Sequence, residues 1–404
     1  MNNVIYLDYA ATTGVKDEVL KEMLPYFGIE YGNPSSIYGI GRHAKKAIEE
    51  ARQRVARAIN AQPKEIYFTG CGSESDNTAL KGIARSLKNR GNHIITSKIE
   101  HHAILNSCKS LEKEGFEVTY LNVDKEGLIN LQELENSITN NTILISIMTA
   151  NNEIGTIQPI KEIGQIAKEH NVYFHTDSVQ AIGNLKIDVN QMNIDSLSMS
   201  AHKFYGPKGV GALYVRDGVP FEKLQDGGHQ EKDKRAGTEN TAGIVGLGKA
   251  IELAYKNIDS YNEKLLDLRE FYFSRIKQEF SEVKINGHRN KRLPGNANVS
   301  FKGVNGGDLL LRLDEMGICA STGSACNSAS AEPSHVLVAI GVEPEYLQGS
   351  LRTTFGEKTC RDDIDYLVAC LKKIIKECKW IYTLNFFISF NSAVKFAISW
   401  DLTL

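Results

Sequence analysis

The chain has 404 residues, with 47 basic against 49 acidic side chains, a formal charge of -2, and 42% hydrophobic residues. This is long enough for two domains around substantial cores, and the composition excludes a disordered class. The near-balanced charge leaves no electrostatic footprint for nucleic acid or an anionic membrane surface, so neither is expected as a partner.

Tyr6-Leu7-Asp8-Tyr9-Ala10-Ala11-Thr12-Thr13 is a short extended stretch whose small residues permit close backbone approach. It begins so early that no signal or transit peptide fits before it, and a cytoplasmic protein is expected. Asn33-Pro34-Ser35-Ser36 is a turn before an Ala-rich helix predicted from His43 to Ile59. The predicted strand Glu65–Phe68 runs into Thr69-Gly70-Cys71-Gly72-Ser73-Glu74, after which Ser75 to Arg85 reads as helix. Free N–H groups at a helix start, with the hydroxyl of Ser73, make Gly72 and Ser73 a candidate phosphate cup.

His93–Thr96 reads as a strand that delivers Glu100-His101-His102-Ala103. Adjacent histidines point different ways and no carboxylate or cysteine stands at ligand spacing, so no metal is expected. Val118–Leu121 and Ile143–Met148 are further buried strands, the second ending in Asn151-Asn152-Glu153-Ile154-Gly155. A helical stretch from Ile160 to Glu169 alternates with these strands, which predicts a doubly wound α/β domain on a mostly parallel sheet.

The apolar run Val172–Thr176 ends at Asp177, with Gln180 just beyond, and Ser200-Ala201-His202-Lys203 runs into a turn at Gly206-Pro207. A lysine between such neighbours at the mouth of a sheet can serve as a nucleophile once burial favours its neutral amine. A carboxylate ending a buried strand upstream of that lysine is the partner that a pyridinium nitrogen needs.

Val210–Val215 is another strand, followed by a polar loop containing Gly227–Glu231 and Arg235–Asn240. Ser260-Tyr261-Asn262-Glu263 has the form of a capping box opening a long helix to about Phe280, and a domain boundary is placed just before it. Beyond lie a strand, Asn298–Phe301, and a helix from Asp308 to Met316 with Asp308 placed to cap it.

Ser321 to Ser330 is a run of small residues with almost nothing to anchor it in a core, so it is expected to move. A thiol at Cys326 on such a run can approach a bound substrate and swing away. The seven cysteines form no CxxC pair, which suggests neither a disulfide framework nor a zinc knuckle and fits a reducing compartment. Ser350–Phe355 reads as a strand bearing Arg352, whose guanidinium fork suits a carboxylate. Trp380 to Leu404 is aromatic and β-branched but interrupted by Asn385, Asn391, Lys395 and Asp401; with no span of ~20 apolar residues, it is not expected to cross a membrane.

Asp177-Ser178-Val179-Gln180 together with Ser200-Ala201-His202-Lys203 resembles the cofactor-binding core of the class V aminotransferases. Ser321-Thr322-Gly323-Ser324-Ala325-Cys326 resembles the active-site loop of cysteine desulfurases of the NifS/IscS type, first desulfurase group. The resemblance runs in order from Tyr6 to about Lys379. It implies pyridoxal 5'-phosphate as cofactor and the fold type I of the enzymes that use it. A large domain over 15–258 would carry a mostly parallel seven-stranded sheet. A smaller α+β domain would comprise 1–14 and 259–379, leaving 380–404 as an atypical tail.

By the same resemblance Lys203 bears the cofactor, Asp177 pairs with its ring nitrogen, and His101 stacks on the ring and shuttles protons. Asn152 and Gln180 reach the phenolic oxygen; Gly72, Ser73, Ser200 and His202 complete the cofactor site. Thr238 contacts the phosphate of a neighbouring subunit, which implies a homodimer with shared sites. Arg352, with Asn152, holds the carboxylate of L-cysteine, and Cys326 takes its sulfur as a persulfide for an acceptor: an iron-sulfur scaffold protein, a tRNA thiolation relay or a thiamine synthesis enzyme. Cys71 stands where the family has a smaller residue, Ser73 where it has threonine, and Asp226 where it often has glycine. Two other readings stay open: a selenocysteine lyase or other class V aminotransferase, which would not need Cys326, and a non-catalytic scaffold that binds the cofactor.

Overall fold

The computed structural model describes residues 4–322 and 333–377. A two-residue strand, β1 (Ile5–Tyr6), comes first. Then β2 (Ile66–Thr69), β3 (His93–Ser97), β4 (Glu117–Leu121), β5 (Thr142–Ser146), β6 (Tyr173–Asp177), β7 (Ser196–Ser200) and β8 (Gly211–Val215) form a seven-stranded sheet in the order β2-β8-β7-β6-β5-β3-β4. Every residue of β3, β5, β7 and β8 is buried, because helices cover both faces. β3, β5 and β8 accordingly carry apolar runs, whereas β7 alternates serine with Leu197 and Met199 although both of its faces are buried.

Strands β4, β3, β5, β6 and β7 are parallel neighbours. β8 lies antiparallel to β7 and β2 antiparallel to β8, so two reversals return β2 to the direction of β7. In this sheet every strand but β8 therefore ends at one edge, where ligands of open α/β sheets bind. Outside the sheet, the helix Gly39–Ala58 packs on the helix Thr241–Lys256. The approach needs a glycine: a Cβ on Gly248 would stand 2.7 Å from that of Ala51.

A separate apolar core gathers Leu7, Tyr272, Phe273, Phe301, Leu309 and Leu351. It includes a three-stranded antiparallel sheet of β9 (Val283–Ile285), β10 (Asn296–Phe301) and, beyond the short β11 (Ile318–Cys319), β12 (Ser350–Thr354), in the order β12-β10-β9. β1 pairs in parallel with β11, so the first residues of the chain belong to this core. No helix among the described residues is long and apolar enough to cross a membrane.

Four helix starts differ from the sequence-based expectation. The Ala-rich helix expected from His43 begins one turn earlier, at Gly39. The long helix is Ile258–Glu279, with Ser260 inside its first turn donating to the carbonyl of Asn257 rather than forming a capping box. The preceding helix runs to Lys256, so Asn257 alone makes the break and no separate cap is required. The helix Gly306–Glu315 is capped by Asn305, whose side chain accepts from the N–H of Asp308; Asn305 has the extended backbone an N-cap needs, whereas Asp308 is already helical. The helix expected from Ser75 begins at Gly72, which brings Gly72 and Ser73 into its first turn.

Candidate active site

The carboxyl ends of the sheet converge on a cavity of about 330 Å³. At one end stands the helix Gly72–Ser86, whose first N–H groups have no intrahelical acceptor. Cys71 at its N-cap is extended and gives no side-chain cap. Gly72 is needed here: a Cβ would come within 2.6 Å of Val179 Cγ2 and 3.4 Å of Ser200 Cβ. With Ser73, Ser200 and His202 also on the wall, this end is a cradle for an anion. His202 Nδ1 lies 3.1 Å from the Thr12 hydroxyl, and burial lowers its pKa to about 4, so its ring is neutral at pH 7.

β6 places Asp177 deep in the cavity, 5% exposed, with Oδ1 accepting from the N–H of Val179 at 2.9 Å. Burial pushes its carboxyl pKa up, while His101 and Lys203 pull the other way. His101 caps the helix His102–Lys113: its Nδ1 accepts from the N–H of Ala103 at 3.1 Å. That bond puts the proton of the neutral ring on Nε2. Burial holds the His101 pKa below the ordinary imidazole range, against the opposing pull of Asp177.

Lys203 follows β7 on a short 3-10 turn, Ala201–Lys203. Its amine donates to the carbonyls of Ala10 at 2.6 Å and Ala11 at 2.8 Å. Gln180 donates to the same Ala10 carbonyl at 2.9 Å. The stretch 8–13 is thus drawn across the site, and Asp8 takes part too: its Oδ1 accepts from Arg352 Nη2 at 2.8 Å. Arg352 Nη1 donates to the carbonyl of Asn152 at 3.1 Å, and the arginine is 2% exposed on the wall of the cavity. Asn152 and Arg352 come from different cores and meet here.

Gly72, Ser73, His101, Asn152 and Asp177 therefore share one cavity with Gln180, Ser200, His202, Lys203 and Arg352. Thr238 does not line it and is exposed. Cys326 falls outside the described residues. A second cavity, of about 320 Å³, lies on the other side of Lys203 and Gln180; Asp177, His101 and Arg352 do not line it, so the chemistry belongs to the first.

Sequence reasoning missed Asp76. It is 1% exposed on the cavity wall, and its Oδ1 has no hydrogen-bond partner among the described residues. Burial, then the charge of Asp177, drive its pKa well above the ordinary carboxylate range. His175 stands 3.8 Å away, but burial lowers its pKa to about 3, so its ring is neutral at pH 7 and this contact is not an ion pair. Asp76, His101 and Asp177 offer ligand atoms within 4.8 Å of one another, a grouping close enough for a metal ion. Helical phase was the available signal: residue 76 is one turn beyond Gly72 and faces the same way. Glu153 was missed as well; its buried carboxylate accepts from the hydroxyl of Ser334, which caps the helix His335–Ala339.

The aminotransferase class-V family matches residues 5–367. Cysteine desulfurase IscS of Clostridium botulinum strain Hall is 59% identical over 379 residues, covering 93% of this chain and 96% of that protein. A solved structure titled NifS-like protein superposes with a TM-score of 0.87 at 38% identity, over 92% of this chain and 99% of that one. Another, of SspA in complex with cysteine, gives a TM-score of 0.78 at 42% identity, over 87% and 99%.

Proposed function

The chain belongs to the aminotransferase class-V family and is a cysteine desulfurase, and from that premise we propose which of its residues carry the reaction and where the sulfur goes. The cofactor is pyridoxal 5'-phosphate. The residues present fit it: an anion cradle that a Cβ at position 72 would fill, a buried carboxylate, and an amine on the far wall. Bound there, the cofactor supplies a carbonyl for amines and a ring that withdraws electrons from the substrate's α-carbon.

Gly72, Ser73, Ser200 and His202 would hold the phosphate, and Asp177 would accept a hydrogen bond from the protonated ring nitrogen. Gln180 and Asn152 would steady the phenolic oxygen. Arg352 holds the carboxylate of L-cysteine, and the amine of Lys203 takes and returns protons next to it. His101 presents its Nε2 proton to the reacting group. Cys326 attacks as thiolate: the C–S bond of cysteine breaks, an S–S bond to Cys326 forms, and cysteine plus thiol become alanine plus persulfide. The observation that carries this reading is the convergence of Asp177, His101, Lys203 and Arg352 on one buried cavity.

The domain division we read is 15–258 for the cofactor and 1–14 with 259–379 for the substrate clamp, supported by the separate apolar core around Tyr272 and Phe301. A homodimer is supported by the exposed apolar stretch Leu24, Phe27, Ile29, Tyr31, Ile37 and Tyr38, which a second copy would cover, and by the exposure of Thr238 away from its own cavity. The persulfide is passed to an acceptor protein, an iron-sulfur scaffold being our choice, in the cytoplasm; the cysteines among the described residues are free, as a reducing compartment requires. The test is Cys326→Ala. It should keep the yellow of the bound cofactor and form no persulfide from cysteine; release of sulfide at the parent rate would sink the assignment.

A further inference from the structure

The polar loop after β8 contains three consecutive non-glycine residues with left-handed backbone: Glu231 at φ 46, Lys232 at φ 58 and Asp233 at φ 64. Side chains with a Cβ avoid that region, so the turn must be held by something outside it. Glu231 is the place. It is 7% exposed, and its carboxylate takes both ends of the Arg52 guanidinium fork, at 2.7 and 2.8 Å. Its Oε2 also accepts from the N–H of Phe68 at 2.8 Å. Arg52, 3% exposed on the helix Gly39–Ala58, donates as well to the carbonyl of Ile66 at 2.8 Å.

One buried ion pair therefore ties the strained turn to β2, the strand that leads into the anion cradle. A second tie lies further along: Arg235 Nε donates to Glu74 Oε1 at 2.8 Å, on the first turn of the cradle's helix. The N–H of Gly237 donates to the side chain of Gln230 at 3.0 Å. Just beyond these ties stands Thr238, exposed.

We propose that the Arg52–Glu231 pair is a positioning device that presents Thr238 to the phosphate end of the cofactor in a second copy of the chain. This rests on the homodimer reading above. A bidentate arginine–carboxylate pair fixes orientation as well as contact. Weakening it lets the turn relax toward ordinary backbone angles, which displaces the segment carrying Thr238.

The test uses heterodimers purified through two different tags, in which Lys203→Ala leaves one cofactor-bearing lysine per dimer. In the first arm Glu231→Gln sits on the Lys203→Ala chain, so the chain offering Thr238 to the surviving lysine is the altered one. In the second arm Glu231→Gln sits on the chain that keeps Lys203. The readout is affinity for pyridoxal phosphate, titrated by the visible absorbance of the lysine-bound cofactor. We expect the first arm to lose about tenfold or more, the scale of losing one hydrogen bond to a charged group, and the second to stay near the parent. Equal weakening in both arms, or none in either, overturns the proposal. Glu231→Ala should enlarge the first-arm loss; should it fail to fold, the glutamine variant still decides. Thr238→Ala in the same arms separates the two layers. An effect of Thr238→Ala confined to the first arm, with none from Glu231→Gln, removes the positioning role and leaves the dimer standing. An effect of Thr238→Ala in both arms or neither, or chains that do not pair, removes the dimer reading and the inference with it.

Discussion

Replacing Arg352 with lysine isolates what a guanidinium fork does in this site. Arg352 is held by Asp8 Oδ1 at 2.8 Å and by the Asn152 carbonyl at 3.1 Å, so its plane is set before any substrate arrives. Lysine keeps the charge but offers a point donor in place of two parallel ones. Losing one hydrogen bond to a charged group costs about 1.5–3 kcal/mol, which is about ten- to hundredfold in kcat/KM. Because the carboxylate is held before and throughout the reaction, the loss should fall on KM for cysteine and leave kcat nearly alone. The assay is alanine formed against cysteine concentration. Asp8 makes the argument stricter, since it competes with the substrate for the same guanidinium. Asp8→Asn removes the rival charge and should lower KM. A cofactor-loaded Arg352→Lys protein with the parent's KM would show that the carboxylate is held elsewhere.

Gly72→Ala should weaken pyridoxal phosphate binding and lower the Tm by an overpacking cost of about 1–3 kcal/mol, because the new Cβ meets Val179 at 2.6 Å; Val179→Ala in the same protein should restore part of both. Ser334→Ala should destabilise by about 1–3 kcal/mol, since it removes a helix cap and leaves the buried Glu153 carboxylate without its donor; denaturant unfolding measures it, and Glu153→Gln should couple to it rather than add. The buried neutral His175 sets a pH slope. Its folded pKa is about 3 against 6.5 when unfolded, so between those values the unfolded chain binds the extra proton. Stability from this group is whole above about pH 6.5 and falls as pH drops toward 3, by up to about 1.4 kcal/mol per unit. In urea titrations, His175→Asn should flatten that slope, and an unchanged slope would contradict the burial argument.

What could be read from the residues follows from where they sit. Asp177 ends a buried strand, and Asn152 and Lys203 each follow one within a few residues; an apolar run ending in a polar residue announces such a position without a structure. That the sheet is mostly parallel was legible from strands alternating with helical stretches, whereas the strand order was not; the anion cradle was legible as a glycine turn before a helix start. Asp76 was hidden because helix phase and strand ends have to be combined before residue 76 is seen to face residue 177. The pairing of Arg352 with Asp8 spans nearly the whole chain, and no local signal marks it. Ser260 and Asp308 carried genuine cap chemistry, but a cap also needs non-helical backbone, which Asn257 and Asn305 hold instead. The left-handed run at Glu231–Asp233 gave no warning at all: no glycine stands in it, and its stability comes from Arg52, far away in sequence.

The stretch from Asp8 to Thr13 has a consequence for how the protein is made. It touches His202, Lys203, Arg352 and Thr354, and the strand before it pairs with Ile318 and Cys319. On the ribosome these first residues emerge while most of their partners are not yet synthesised. They must wait unpaired until β12 has left the exit tunnel, by which time the large sheet has all its strands. Cofactor capture should thus be one of the last events in biogenesis, and nascent chains arrested before residue 350 should gain the sheet without retaining pyridoxal phosphate.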